Sequence, residues 1–399
     1  MKTWNTNMTI QIKKYFLTVL LIFWIFFISF CSIDSSKDKD KKKEQEQLLF
    51  LSLFVLANSN SLIGMSEAYF NHTATLLNDG NVLVRGNTSA ELYDATTNTF
   101  SQITTELSDR ESHTATLLNN GKVLIVGGIS TTDGTIYYTA EIYDPSTNAF
   151  TSTGNMNSAR FLHAATLMQD GKVLITGGHS DCSSNLCSAE LSSAEIYDPN
   201  RGSFASTGSM NYTRIGHTAT LKSDGKVIII GGFGFLNIPR FIVEEYDSST
   251  GSFTEYTSQS RYLTFARGYH RATLLSNGDI LITGGFIGNV NIASTDNTEV
   301  YNSYSYVKGR MSSPRSAHTA TLLQSGKVLV AGGQNFELYS RITTPKFSSL
   351  EIYDPTEEKF KNAGNMLRAR SSHTATLLKN GKILITGGTD RKNAELYSP

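Results

Sequence analysis

The chain has 399 residues, with 35 Lys plus Arg set against 35 Asp plus Glu, a pI near 7.1 and no net charge. No excess of basic charge is available to neutralise phosphates, which argues against nucleic acid as a partner. Twenty-one Phe and 18 Tyr supply ample aromatic material for a core.

From the N-terminus, Lys13 and Lys14 precede Tyr15–Phe30, sixteen residues without a charge, and then Cys31. This is the basic n-region and apolar h-region of a secretory signal over residues 1–30, too short and one-sided for a membrane span. A cysteine directly after such a run resembles the lipobox of bacterial lipoproteins, which implies lipidation at Cys31. Phe30 departs from the small residue that family has there, and an uncleaved anchor or plain secretion are the alternatives. Residues 31–56 read as a tether. Its Ser35–Gln47 stretch mixes charges with nothing to bury and stays solvated. The apolar run Leu48–Leu56 is nine residues long and cannot cross a bilayer as a helix. It either packs on the following domain or forms an outer strand, or else acts as a plug or partner-binding segment.

Everything after it is one repeat. The stretch Ser112–Gly128, SHTATLLNNGKVLIVGG, recurs with histidines at His72, His113, His163, His217, His270, His318 and His373. Each is followed eight residues later by a glycine, from Gly80 to Gly381. Self-similarity at this period marks a repeat architecture. Each unit reads as four short strands: HTATLL, then GKVLIVGG, then AEIYDP, then one opening at a phenylalanine. Asn-Gly and Asp-Gly pairs such as Asn120-Gly121 and Asp170-Gly171 suit a tight hairpin needing positive φ. Glycine pairs from Gly127-Gly128 to Gly387-Gly388 allow backbone shapes that a Cβ would forbid. Unit one has Gly86-Asn87 instead, with asparagine expected at a left-handed position.

A double glycine closing the second strand, a Glu-x-Tyr third strand, and an aromatic seven residues after that tyrosine together resemble kelch repeats. The pairs are Tyr93/Phe100, Tyr143/Phe150, Tyr197/Phe204, Tyr246/Phe253 and Tyr353/Phe360. The wording is similar to bacterial kelch proteins of the galactose-oxidase central-domain type, although Phe stands where animal kelch has Trp. The resemblance implies an all-β, seven-bladed β-propeller of four antiparallel strands per blade over residues 57–399. The last unit ends at its third strand, AELYSP. Met65 stands seven residues before His72, as Met156, Met210, Met311 and Met366 stand before their own histidines. Residues Ala57–Met65 are therefore expected to supply the missing outer strand and close the ring.

Length variation points to the functional face. Between the glycine pair and the third strand lie 2, 11, 15, 10, 12, 16 and 5 residues in units one to seven. The other turns are nearly uniform, so one face carries the variable loops, where binding usually resides. Seven histidines at one repeat position read as structural hydrogen-bonding groups, and His179, in a loop, as incidental. Galactose oxidase needs copper held by tyrosines and histidines and a cysteine crosslinked to a tyrosine. Here the repeats contain only Cys182 and Cys187, with four residues between them, read as a loop disulfide.

Arg110, Arg160, Arg214, Arg267, Arg315 and Arg370 each stand three residues before a repeat histidine, with Tyr69 in unit one. They are either structural partners of the third-strand glutamates or a guanidinium ring that takes carboxylates. Loop carboxylates Asp133, Asp181 and Asp296 show no catalytic partner.

The reading is a non-catalytic, monomeric, extracytoplasmic module of a bacterial cell envelope, tethered by a lipid anchor and binding a protein or glycan without a cofactor. The alternatives are a carbohydrate-active kelch enzyme such as a sugar epimerase or mutarotase, and a structural envelope lipoprotein.

Overall fold

The computed structural model describes residues 62–104, 107–181, 189–256, 262–288, 292–302, 305–337, 345–388 and 392–399. Cys31, Cys182, Cys187 and Leu48–Leu56 lie outside the described residues.

Seven four-stranded antiparallel sheets follow one another along the chain. Blade one consists of Thr73–Leu76, Val82–Arg85, Ala90–Asp94 and Thr99–Ile103, adjacent in that order. The first strands of neighbouring blades lie side by side right round the ring, including those of blades seven and one. The fold is an all-β, seven-bladed propeller, as the repeat implied.

The second strands explain the core. VLVR, VLIV, VLIT, VIII, ILIT, VLVA and ILIT are buried at every position. A strand apolar on both faces has to be covered on both, and here each face meets a different blade. Leu124 and Val126 join Val173, Ile175 and Tyr197 of blade three, whereas Val123 and Ile125 join Leu77 and Leu83 of blade one. The propeller has no central core; it has a separate apolar cluster between each pair of neighbours. In five blades a buried third-strand tyrosine stacks on its cross-strand phenylalanine, as in Tyr143–Phe150 at 5.0 Å between ring centroids.

The ring closes with a strand from the other end of the chain. Leu62–Gly64 pairs antiparallel with Asn393–Tyr397, Leu62 opposite Glu395 and Gly64 opposite Asn393. The Met65 N–H continues the ladder to the Lys392 carbonyl at 3.0 Å, and its side chain is buried with Leu384, Leu396 and Val82. Of the expected clasp Ala57–Met65, residues 57–61 lie outside the described residues.

Two local expectations are corrected. In the first hairpin of each blade, glycine alone takes the positive φ (Gly121, +81°). The preceding Asn or Asp instead accepts the next free amide, as Asn120 Oδ1 does from Lys122 at 3.1 Å. In blade one, neither Gly86 nor Asn87 is left-handed. Gly86 is needed because a Cβ there would lie 2.2 Å from the Tyr69 ring. Some of the long loops carry pairing of their own among the described residues. Blade four raises a ribbon of Phe233–Gly234 and Ile238–Pro239, and blade five one of Phe286–Ile287 and Ala293–Ser294. In blade six the third and fourth strands lengthen to Phe347–Asp354 and Lys359–Arg370.

Deleting residues 57–65 would expose the outer edge of blade seven and remove the buried Met65. A buried Met lost to a cavity costs about 2–5 kcal/mol, so the melting temperature should fall by on the order of 10 °C by calorimetry. An unchanged melting temperature would refute the clasp.

Candidate binding face

The repeat residues that look most like chemistry face inward. All seven repeat histidines are buried, and each ring Nε2 lies within hydrogen-bond distance of a threonine hydroxyl in the preceding blade. The threonine comes from one of two places. His113, His163, His270 and His373 use the residue after the preceding histidine: Thr73, Thr114, Thr218 and Thr319, at 2.9–3.3 Å. His217 and His318 use the last residue of the second strand, Thr176 and Thr283, at 2.8 and 2.9 Å.

The swap has a simple cause. In those two blades the first-strand position holds Ala164 and Arg271, and Thr176 and Thr283 are their direct cross-strand partners. The hydroxyl has moved across one rung of the ladder and still reaches the same imidazole. His72 closes the circle onto Thr386 of blade seven at 2.9 Å.

Burial, with neighbouring arginines adding to it, drives the imidazoles far below their ordinary pKa, to about 3 for His72, His163, His270 and His373. They are neutral at physiological pH, and their Nδ1 atoms are buried without a protein partner.

The six repeat arginines are also internal, at most 1% exposed. Arg160 is typical: one Nη donates to the Gly177 carbonyl at 2.8 Å and the other to Glu195 at 2.8 Å. The same pattern holds for Arg110 with Glu141, Arg214 with Glu244, Arg267 with Glu299, Arg315 with Glu351 and Arg370 with Glu395. Burial lowers the guanidinium pKa and the carboxylate opposes that shift. The structure therefore brings each of these arginines to a glutamate of its own blade, and presents none of the guanidinium groups on the surface.

The same glutamates receive the amides of the incoming connection, as Glu195 does from Asn157 at 2.7 Å and Ser158 at 3.1 Å. The arginine's own carbonyl, meanwhile, accepts from the glycine pair of the preceding blade, as Arg160 O does from Gly128 N at 2.9 Å. Both glycines of the pair are at positive φ (+63° and +100°), and a Cβ on Gly127 would sit 2.3 Å from that carbonyl.

Two features of this inner machinery escaped sequence reasoning. The residue before every repeat histidine is left-handed, including Leu162 (φ 54°) and Tyr269 (φ 52°). Non-glycine residues there cost about 1–2 kcal/mol each. Their backbones bond from blade to blade: Ser112 N to Asn71 O, Leu162 N to Ser112 O, Gly216 N to Leu162 O, Tyr269 N to Gly216 O and Ser372 N to Ala317 O. Their side chains share nothing, so no composition signal marks them.

The second is Arg85, a lone cation ending a β-branched strand, and the signal was visible. Fully buried, it donates to the carbonyls of Gly86, Asn87 (2.7 Å) and Ser108 (2.7 Å), and lies 3.9 Å from Glu141. It bridges blades one and two where the glycine-pair clasp is missing.

The variable loops form the remaining surface. Beside the loops of blades four to six runs an unbroken row of aromatic rings, three from the loops and Tyr269 from the position before His270: Phe233–Tyr269 at 5.7 Å, Tyr269–Phe286 at 5.9 Å and Phe286–Phe336 at 5.4 Å. Ser294 N donates to Phe336 O at 2.8 Å, joining the loops of blades five and six. Of the large hydrophobic side chains exposed among the described residues, Phe235, Leu236, Ile238 and Phe241 all belong to the blade-four loop. The run FGFLNIPRFI announces this patch in the sequence by its lack of acidic residues.

The loop carboxylates are engaged. Asp133 caps Thr135 N at 3.0 Å within its own turn, and Asp296 lies 3.6 Å from Arg310. His179 is buried and stacks on Phe161 at 5.6 Å.

Residues 112–157 match the Kelch motif. No curated protein matches the chain. Among solved structures it is similar to a fungal alcohol oxidase described as having catalytic diversity among the AA5 family, in complex with copper. That likeness has a TM-score of 0.67 at 18% identity, covering 85% of this chain and 76% of that one. It is also similar to YjhT, with a TM-score of 0.58 at 15% identity, covering 75% of this chain and 99% of that one. At these identities the likeness is one of fold.

Among the described residues no three His, Cys, Asp or Glu side chains converge, and each repeat histidine is held by a threonine in its own blade interface.

Two measurements test this frame. Thr176→Val leaves His217 without its partner and should cost about 1–3 kcal/mol by urea denaturation, and adding Ala164→Thr should restore most of it. Failure of that rescue would show that the hydroxyl is not interchangeable between the two positions. The second is pH dependence. Because the folded histidine pKa values are depressed, the unfolded chain alone takes up protons as pH falls below about 6.5. Stability is complete above that value and should fall between pH 6.5 and 4 by up to about 1.4 kcal/mol per unit per histidine. A flat urea midpoint across that window would contradict neutral burial.

Proposed function

We propose that the chain is an extracytoplasmic, membrane-tethered binding module of a bacterial envelope, taking a protein or glycan ligand on the face that carries the second-to-third strand loops. The observation that carries this reading is the aromatic row Phe233–Tyr269–Phe286–Phe336, built across three blades from three loops of different length and sequence together with Tyr269. Tyr269, Phe286 and Phe336 are half-buried rings on a fixed scaffold, packed beside the buried Phe233, and supply contact area at low entropic cost. The repeated polar residues support it from the other side, since their hydrogen bonds are spent within and between blades.

The test is a glycan and protein array probed with the fragment Ala57–Pro399, followed by Phe286→Ser with Phe336→Ser. Ligand affinity should drop roughly tenfold or more while the melting temperature changes little. Binding that survives this pair would place the ligand elsewhere.

A further inference from the structure

We propose that the blade-four loop, Phe233–Phe241, is a lipid-inserting hairpin that seats its tip in a bilayer surface. The proposal rests on the membrane-tethered reading above and adds a second membrane contact to it.

The tip is apolar and outward-facing. From Phe233 to Pro239 there is no charged residue. Phe235 is 56% exposed, Leu236 64%, Ile238 44% and Phe241 45%, a concentration of apolar surface found on no other loop of the described residues. The ribbon beneath is only two residues long on each side, so the tip is a convex projection rather than one wall of a groove.

Its backbone is held in an unfavourable shape. Leu236 (φ 59°) and Asn237 (φ 55°) are both left-handed, a region that leucine seldom occupies. The strained leucine is the most exposed large hydrophobe among the described residues. Strain kept where it serves no packing is a mark of a functional segment.

Below the tip the chemistry changes in the order that a membrane interface requires. The Arg240 guanidinium lies over the Tyr212 ring at 5.0 Å and donates through Nε to Thr213 O at 3.0 Å. Phe241 packs on Tyr262 at 5.2 Å, and the Tyr262 hydroxyl donates to Glu255 at 2.9 Å. An apolar tip above a collar of tyrosine, arginine and carboxylate matches hydrocarbon below headgroups, with the amphipathic rings at the boundary. A tether from residues 1–56 would hold the propeller close to the bilayer, so that even weak insertion becomes effective.

The fragment Ala57–Pro399 retains every strand of the closed ring and contains no tryptophan, since the only two are Trp4 and Trp24. Phe235→Trp therefore creates a single reporter at the tip. With mixed phosphatidylcholine and phosphatidylglycerol vesicles, its emission should shift to the blue and be quenched by lipids brominated on their acyl chains. Adding Leu236→Ser and Ile238→Ser should lower the bound fraction roughly tenfold or more. Unchanged emission, no quenching, or binding indifferent to the serines would overturn the proposal, as would a shift produced only by a protein or glycan ligand. The tether is scored separately, by retention of the full chain in washed membranes. Retention together with a fragment that ignores vesicles sinks the hairpin alone; a soluble full chain with an inserting fragment sinks the tether alone.

Discussion

The structure depends on the clasp between neighbouring blades. A glycine amide of one blade reaches the carbonyl of the next blade's arginine, and that arginine's guanidinium turns back to its own glycine pair and glutamate. One residue thus satisfies donors and acceptors on both sides of an interface. A buried ion pair is weak evidence of net stability, but removing either partner would leave an uncompensated charge in a dry site. The clasp makes arginine, glutamate and both glycines mutually dependent, and this is why the four recur together through six units.

The histidine–threonine circle is a second tie with more tolerance. What it requires is a hydroxyl at one point in space, and the ladder offers two positions from which to supply it. Thr114 with Val126 and Ala164 with Thr176 are equivalent solutions. Such a requirement constrains a pair of positions rather than a residue, so a repeat can look degenerate at each position and still be intact.

Much of this was legible because it repeats. The fixed histidine-to-glycine spacing exposed the blades, and the AELYSP ending beside Met65 exposed the closure. The arginine–glutamate pairing also followed from both groups lying at one end of the blade. What stayed hidden was set by backbone shape rather than by side chain. The left-handed residues before the histidines are Asn71, Ser112, Leu162, Gly216, Tyr269, Ala317 and Ser372, a set with no shared chemistry. The turn at Asn120-Gly121 was located correctly but its mechanism was not, since asparagine acts there as an acceptor. The apolar hairpin at Phe235 stayed hidden for a different reason: loop length marks a face, whereas the exposure of its side chains depends on the fold.

Arg85 marks one of two seams unlike the rest, both flanking blade one. It needs the carbonyls of Asn87 and Ser108 and the nearby Glu141, a set offered only where blade two follows blade one. Five interfaces use the arginine clasp; between blades seven and one the Gly388 amide donates to the Tyr69 carbonyl instead. The two seams that flank blade one are therefore keyed, one by Tyr69 and the other by Arg85. A ring with near-sevenfold symmetry thus has a distinguishable starting point, and every loop on its variable face occupies a fixed bearing relative to it.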